Sequence, residues 1–237
     1  MNVLRTIVFD VDDTLYDQIR PFKKAVHTCF NRNFSEDELN QLYISSRKFS
    51  DELFHQSATG EVSIEDLQVY RITEAAKIFD ISLDREEALY FQKVYLHEQK
   101  NITLFDEMQQ LMEQLKHHTQ FAVLTNGEQA HQMMKIKQLQ LNNWIPEEHL
   151  FISGALGMAK PSEQVFSYLE KQLSLDKANT IYIGDSFDHD IIGAKQAGWK
   201  AIWMNHRKRQ APSCDVSPDF EVNHPKELLS LFKNQDL

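Results

Sequence analysis

The chain has 237 residues, a hydrophobic fraction of 42%, a formal net charge of −10 and a pI near 5.4. This length fits one large domain or a core with a smaller insert, and the hydrophobic fraction is sufficient for a packed core. The negative field would repel nucleic-acid polymers and anionic membranes, so neither is expected as a partner. Because the same field repels phosphate esters, a phosphate site would need strong local cations.

The cysteine content and hydropathy of the chain favour the cytoplasm. Cys29 and Cys214 are far apart in sequence and form no CxxC pair, which is typical of reduced thiols in a cytosolic protein. There is no signal-peptide pattern, and no apolar run approaches the about 20 residues that a membrane-spanning helix needs. We therefore expect a cytoplasmic protein without a membrane partner. For the oligomeric state, a monomer and a homodimer both remain open.

The first part of the chain predicts one strand followed by a helical block. Residues 3–9 are typical of a short buried strand that ends at Asp10. Residues from about 18 to 100 contain only one proline and one glycine, Pro21 and Gly60, and are predicted to form helices. Three pairs have the spacing of a helix N-terminal cap. These pairs are Ser35 with Glu38, Ser63 with Asp66, and Asp84 with Glu87.

From about residue 103 onward, predicted strands alternate with predicted helices. The strands are 120–124, 149–152, 180–183 and 200–203, and the helices are 105–117, 128–139, Pro161 to about 173, 188–197 and 225–233. This alternation predicts an α/β fold, a Rossmann-like and mostly parallel sheet flanked by helices. The helical block is too long for an ordinary connection. We therefore predict a core of residues 1–15 and 103–237, with 16–102 inserted as an all-helical subdomain.

Polar residues follow the predicted strands, where open α/β sheets bind their ligands. These residues are Asp10, Asp12, Asp13 and Thr14 after the first strand, Thr125 and Asn126 after the second, Lys160 in a loop, and Asp185, Asp188 and Asp190 after Gly184. Asp10 and Asp12 leave an extended chain on the same side, and packed carboxylates repel one another. A hard divalent cation such as Mg²⁺ would make this cluster tolerable, with Asp185 as an additional ligand.

The chemistry that suits this cluster is phosphoryl transfer to a carboxylate. An aspartate nucleophile divides the reaction through an aspartyl-phosphate. Asp12 could protonate the leaving alkoxide and then activate water for the second step. Thr125 and Lys160 could hold the non-bridging oxygens of the phosphoryl group.

Four motifs in this order resemble the haloacid dehalogenase-like (HAD) hydrolase superfamily. They are DxDxT as 10–14, a hydrophobic strand followed by Thr125-Asn126, Lys160-Pro161, and GDxxxxD as 184–190. The resemblance covers about 1–15 and 103–237, and the helical insert matches the position and character of the family's helical cap. Within the superfamily, the forms Asp-Val-Asp-Asp-Thr-Leu, Leu-Thr-Asn-Gly and Ile-Trp-Met-Asn also resemble the bacterial pyrimidine 5′-nucleotidases.

The resemblance implies a Mg²⁺-dependent phosphatase that acts on a small phosphorylated metabolite, with a nucleoside 5′-monophosphate as one candidate. By this resemblance, Asp10 is the nucleophile and a metal ligand, and Asp12 is the acid/base, with its backbone carbonyl also binding the metal. Asp185 is a further metal ligand, and Asp190 lies next to the ligands without binding the metal directly. Thr125, Asn126 and Lys160 bind the phosphoryl group. Haloacid dehalogenases lack an aspartate at the place of Asp12, so a phosphatase is favoured over carbon–halogen cleavage.

Two other functions remain open at this point. A phosphosugar mutase of the same superfamily would return the phosphoryl group to its substrate, and a phospho-receiver or silent binding module would not turn over. Outside the site, we expect Asp13 to cap a helix or be solvated, and we expect Arg207, Lys208 and Arg209 to form a solvated loop. Tyr16 is among the residues that could approach the leaving group.

Overall fold

A computed structural model describes residues 5–233, so residues 3 and 4 of the predicted first strand lie outside the described residues. The chain divides into two compact units, Gln18–Ile102 and Met1–Asp17 with Thr103–Leu237. The first is called the helical unit below and the second the α/β unit. That the helical unit serves as a cap stays a prediction. Within residues 5–233, no helix has both the length and the apolarity needed to cross a membrane.

The helical unit contains the predicted block of helices. Its α-helices are α1 (Ile19–Cys29), α2 (Glu36–Glu52), α3 (Phe54–Ala58), α4 (Ile64–Lys77) and α5 (Arg85–Glu98). The predicted caps are confirmed at the starts of α2, α4 and α5. The side chains of Ser35, Ser63 and Asp84 each accept a hydrogen bond from the backbone three residues later. Each cap satisfies a backbone N–H that has no partner within its helix.

The helical unit has a hydrophobic core of its own, rich in aromatic rings. Phe22 of α1 meets Tyr43, Phe91 and Tyr95 edge-to-face, with ring centroids 5.4, 5.4 and 5.7 Å away. Edge-to-face pairs add about 0.5–1.5 kcal/mol each to the stabilisation that comes from burial. The apolar faces of these helices therefore bury one another within the unit.

The α/β unit is built on one six-stranded sheet. Its strands are β1 (Arg5–Phe9), β2 (Thr119–Thr125), β3 (Leu150–Ile152), β4 (Thr180–Gly184), β5 (Lys200–Met204) and β6 (Phe220–Val222). Their order is β3-β2-β1-β4-β5-β6, and each of the five pairings is parallel. The predicted α/β fold with a parallel sheet is therefore confirmed. The chain order reverses beside β1, which is where open α/β sheets bind ligands.

The helices of the α/β unit follow its strands. They are α6 (Asp106–Leu115), α7 (Gln129–Gln138), α8 (Ser153–Leu156), α9 (Glu163–Leu173), α10 (Ile192–Gln196) and α11 (Pro225–Lys233). The predicted helix 188–197 is divided, because a π-helical turn at Phe187–Ile191 precedes α10. The prediction that a helix begins at Pro161 is wrong, because Ser162 caps α9 and Pro161 lies before the cap. The three-residue edge strand β6 was not predicted.

A buried ion pair fixes the turn that follows β1. Asp13 has a left-handed φ of 57° and its side chain is 1% exposed. Arg207 donates from Nε to Oδ2 at 3.0 Å and from Nη2 to Oδ1 at 2.7 Å, and Nε2 of His206 lies 2.8 Å from the Asp13 carbonyl oxygen. Burial alone would raise the pKa of Asp13, but the hydrogen bonds from His206 and Arg207 hold it well below its usual range.

These contacts overturn two expectations from the sequence. Asp13 neither caps a helix nor faces solvent, because its carboxylate is buried against Arg207. The run 207–209 is not a solvated loop throughout. Arg207 holds Asp13, Arg209 donates from Nη1 to Asp185 Oδ2 at 2.9 Å, and Lys208 is the exposed member of the run. The basic run therefore belongs to the edge of the sheet where the acids lie.

We predict that Arg207→Met lowers the free energy of unfolding by about 3 kcal/mol, because it leaves the buried Asp13 carboxylate without its main partner. The measurement is the urea-unfolding midpoint followed by far-UV circular dichroism. The double variant Asp13→Asn/Arg207→Met should recover part of the loss, since it removes the unpaired charge.

Arg85→Met is the matched control for this prediction. Arg85 also pairs with two carboxylates, Glu65 and Asp66, but these pairs are exposed. Exposed pairs contribute little, so this variant should unfold close to the wild-type midpoint. Equal losses for the two arginine variants would contradict the prediction.

Candidate active site

The predicted site residues follow three adjacent strands of the sheet. Asp10 comes directly after β1, Thr125 ends β2, and Asp185 follows the end of β4. β1 pairs with both β2 and β4 in parallel, so the carboxyl ends of the three strands lie at one edge. The backbone N–H of Asp10 continues the ladder by donating to the carbonyl oxygen of Ile183 at 2.9 Å. The position of the Asp10 side chain therefore follows from the register of the sheet.

Lys160 is the cation at the centre of this edge. Its Nζ lies 2.7 Å from Asp10 Oδ1, 2.7 Å from Asp190 Oδ1 and 2.8 Å from the Tyr182 hydroxyl. The residue is 4% exposed, and lysine is rarely so buried unless it is paired. Burial would lower the pKa of Lys160, but the charges of Asp10 and Asp190 raise it above its usual value. The ammonium therefore stays charged beside the predicted nucleophile.

The negative charge near the Asp10 carboxyl exceeds the positive charge that Lys160 supplies. Burial, followed by repulsion from Asp190 and Asp12, raises the pKa of Asp10 to about 6, although Lys160 acts in the opposite direction. Burial likewise raises the pKa of Asp185 well above its usual value. Two carboxyls at one edge are thus held in an environment that favours an additional positive charge.

The donor set fits a hard divalent cation. Asp10, Asp185 and Asp190 each offer a carboxylate oxygen, and these oxygens lie within 4.8 Å of one another. All of them are oxygen donors, which Mg²⁺ prefers. Asp190 is already engaged through both oxygens, because Oδ1 accepts from Lys160 and Oδ2 accepts from the Ser186 backbone at 2.9 Å. Asp10 and Asp185 are therefore the carboxylates that fit direct ligation, with Asp190 holding Lys160.

Asn126 is used to hold the Lys160 backbone. Its Nδ2 donates to the Lys160 carbonyl oxygen at 3.0 Å, and its Oδ1 accepts from the Lys160 N–H at 3.0 Å. This reciprocal pair joins the end of β2 to the loop that carries the lysine. The predicted contacts of Thr125 and Asn126 with a phosphoryl group stay predictions.

The Asp12 carboxylate is bound by three side chains that are not among the site residues expected from the sequence. Tyr16 donates to Oδ1, Gln132 Nε2 donates to Oδ2 at 2.9 Å, and Lys135 Nζ reaches Oδ1 at 2.8 Å and Oδ2 at 2.7 Å. Burial would raise the pKa of Asp12, but the Lys135 charge and the hydrogen bonds from Gln132, Lys135 and Tyr16 hold it well below its usual range. Asp12 is therefore an ionised carboxylate here.

The sequence carried only faint signals for the residues that were missed. Gln132 and Lys135 are three apart on α7, and both are buried on the same helix as the apolar Ile136. A polar pair at helical spacing beside an apolar residue is the local signal for these two side chains. Tyr182 reads as an ordinary apolar position of β4, and nothing local distinguishes its hydroxyl.

The sequence is similar to a known protein family and to known proteins. The profile described as haloacid dehalogenase-like hydrolase matches residues 7–204. A glyceraldehyde 3-phosphate phosphatase from Methanopyrus kandleri is 24% identical over 246 residues, covering 98% of this chain and 98% of that protein. The pyrimidine 5′-nucleotidase YjjG from Escherichia coli is 29% identical over 122 residues, which is 51% of this chain and 53% of that protein.

Solved structures share the fold. The HAD-hydrolase YfnB from Bacillus subtilis, described as bound to magnesium, has a TM-score of 0.71 at 21% identity, with 96% of this chain and 98% of that chain covered. L-2-haloacid dehalogenase from Xanthobacter autotrophicus also has a TM-score of 0.71, at 15% identity, with 98% and 99% covered. At such identities the structures establish the fold alone. The family profile, however, spans most of the sequence, and this chain belongs to the haloacid dehalogenase-like hydrolase family.

Proposed function

We propose that this protein is a Mg²⁺-dependent phosphatase that hydrolyses a small phosphate monoester through an aspartyl-phosphate on Asp10. The observation that carries the proposal is the state of the Asp10 carboxylate. It lies at the carboxyl end of β1, one oxygen is held by the buried Lys160, and the second has no hydrogen bond within the described structure. A fixed carboxylate with one free oxygen is suited to attack phosphorus.

The reaction would proceed in two displacements. In the first, the free oxygen of Asp10 forms a bond to phosphorus while the ester P–O bond breaks, and Asp12, which is ionised in the described structure and must first take up a proton, gives that proton to the departing oxygen. In the second, Asp12 takes a proton from water, the resulting nucleophile attacks phosphorus, and inorganic phosphate leaves. Asp10 is then a free carboxylate again. Lys160 offsets negative charge on the phosphoryl oxygens in both steps.

The metal would be held by the Asp10 and Asp185 carboxylates and by the Asp12 backbone carbonyl. Mg²⁺, when bound, would supply positive charge against the phosphoryl oxygens. Asp190 would keep Lys160 beside Asp10 rather than bind the metal, since both of its oxygens are engaged. Thr125 and Asn126, at the end of β2, are proposed to contact the phosphoryl group.

Asp12 supports phosphate-ester hydrolysis over carbon–halogen cleavage. A halide ion leaves without needing a proton, whereas an alkoxide leaving group does need one. Asp12 is a second carboxylate two residues from the nucleophile, so it supplies what an ester substrate requires. The L-2-haloacid dehalogenase from Xanthobacter autotrophicus shares the fold at 15% identity, which carries no argument about substrate.

We propose a small phosphorylated metabolite as the substrate, with nucleoside 5′-monophosphates as a candidate class. The names of the relatives support this class, because one is a glyceraldehyde 3-phosphate phosphatase and another a pyrimidine 5′-nucleotidase. Both cysteines are free thiols, which supports a reducing compartment and hence the cytoplasm. We propose a monomer or homodimer.

Two alternatives can be separated from this proposal by their products. A phosphosugar mutase would also phosphorylate Asp10 but would yield an isomer of the substrate and little free phosphate. A phospho-receiver or silent binding module would release no phosphate at all. Release of phosphate with turnover and without an isomer therefore selects the phosphatase.

We predict that the protein hydrolyses p-nitrophenyl phosphate with Mg²⁺ and that Asp10→Asn lowers kcat by at least about 1,000-fold, since the amide is a poor nucleophile. Phosphate release should stop with a chelator and return with Mg²⁺. Asp188→Asn is the matched control, because Asp188 is exposed in the same stretch as Asp185 and Asp190. Wild-type rates in Asp10→Asn would refute the proposal.

We also predict that Tyr182→Phe lowers kcat by about 10-fold, because the Lys160 ammonium loses one of its three acceptors and is held less firmly beside Asp10. Lys160→Met should lower kcat by about 100-fold or more, since it removes the charge itself. Steady-state kinetics on p-nitrophenyl phosphate would measure both.

Tyr168→Phe is the control for the loss of a hydroxyl. Tyr168 is in the same unit, and its ring packs against Phe151 at 6.2 Å rather than at the lysine. Its variant should keep the wild-type kcat. If Tyr182→Phe also keeps the wild-type kcat, Tyr182 does not position Lys160.

A further inference from the structure

The Asp12 carboxylate is completely occupied by hydrogen bonds. Tyr16 and Lys135 donate to Oδ1, and Gln132 and Lys135 donate to Oδ2. An ionised carboxylate offers about four lone-pair positions, so within the described structure the four hydrogen bonds from these three side chains fill it. A proton moving to a leaving group, or from a water molecule, needs one of the same positions. Asp12 must therefore give up one donor whenever it acts.

The three donors are not equivalent, which identifies the one that stays. Lys135 is charged and bonds to both oxygens, whereas Tyr16 and Gln132 are neutral and each bonds to one. Charge-assisted hydrogen bonds are roughly twice as strong as neutral ones. The neutral donors are therefore the ones that yield, and Lys135 keeps the plane of the carboxylate fixed while they do.

The side chains that bind Asp12 are buried in positions that are unfavourable for polar groups. The Lys135 side chain is 2% exposed, although lysine usually faces solvent. Gln132 directs Nε2 at Asp12 and at the Asn126 carbonyl oxygen, and its Oε1 is buried without a hydrogen-bond partner in the described structure. A Cβ at Gly127 would lie 2.7 Å from Gln132 Nε2, so the glycine leaves room for the amide. Buried acceptors without a partner are rare in folded proteins.

We propose that Lys135 is a positioning residue for the acid/base Asp12, and that it holds the carboxylate in place while a neutral donor gives way to the leaving-group oxygen and later to water. The inference rests on the proposed phosphatase reaction and extends it to a residue on α7. Lys135 acts through Asp12, and the proton itself passes between Asp12 and the leaving group.

Two esters of similar size separate this role from a structural one. p-Nitrophenyl phosphate releases a stable anion that hardly needs a proton, whereas phenyl phosphate releases a more basic one that does. Because kcat/KM reports the phosphorylation step, Lys135→Met should lower the ratio of kcat/KM for phenyl phosphate to that for p-nitrophenyl phosphate by about 10-fold or more. Asp12→Asn should lower the same ratio at least as far.

A double-variant cycle tests whether Lys135 works through Asp12. Asp12→Asn/Lys135→Met should show the ratio of Asp12→Asn alone, with no further loss. Lys137→Met is the matched control, since Lys137 is exposed on the same helix, and it should keep the wild-type ratio. Lys135→Gln retains a donor without the charge, and it provides the same test if Lys135→Met does not fold.

The possible outcomes separate the inference from the function on which it rests. Equal losses on both esters would mean that Lys135 is only structural, and additive losses in the double variant would mean that it acts independently of Asp12. Unchanged kinetics on both esters in Lys135→Met and Lys135→Gln would also overturn the inference. If the wild-type protein with Mg²⁺ hydrolyses neither ester, the proposed function fails and the inference fails with it.

Discussion

Repulsion among carboxylates is the constraint around which the α/β unit is organised. Asp10, Asp12, Asp13, Asp185 and Asp190 meet at one edge of the sheet, and each buried negative charge makes the next more costly. Four cationic side chains pair with these carboxylates. Lys160 pairs with Asp10 and Asp190, Lys135 with Asp12, Arg207 with Asp13, and Arg209 with Asp185. A chain of net charge −10 thus brings cations to the one place where a phosphate ester would need them.

The cations come from separate elements, so the site depends on the packing of the whole unit. Lys135 lies on α7, Lys160 lies in the loop before α9, and the arginines follow β5. These side-chain contacts also require side chains to pass close to the backbone. A Cβ at Gly184 would lie 2.2 Å from Asp190 Oδ2, so only glycine allows Asp190 to reach both Lys160 and the Ser186 backbone. The geometry of the acids therefore reflects tertiary packing as much as the motifs that carry them.

The sequence predicted the acids better than their partners, for a physical reason. Asp10 and Asp185 follow apolar strands, so a local pattern together with the rule for parallel sheets places them at one edge. Lys135 and Arg207 find their carboxylates across 123 and 194 residues of sequence. A lysine on a helix is solvated by default, and only the fold decides otherwise.

The same difference between local and long-range signals explains which parts of the fold the sequence predicted. Long apolar runs and helix caps such as Ser35 are local signals, and the strands and helices they predict were confirmed. The short strand β6 has three residues at the edge of the sheet and draws its pairing from β5, so its own sequence hardly indicates it. The left-handed Asp13 is similar, because the Arg207 that pairs with its buried side chain lies 194 positions away in the sequence.

The length of chain between Asp13 and Arg207 has a consequence for biosynthesis. At a synthesis rate of roughly 5–20 residues per second, Arg207, which lies 194 positions after Asp13, emerges roughly 10–40 s later. The helical unit is one continuous stretch with its own core, so it is complete in the nascent chain while the earlier Asp13 still lacks its counter-ion. The acidic turn that emerges first can therefore form its buried ion pair only after most of the chain, including the whole helical unit, has been synthesised.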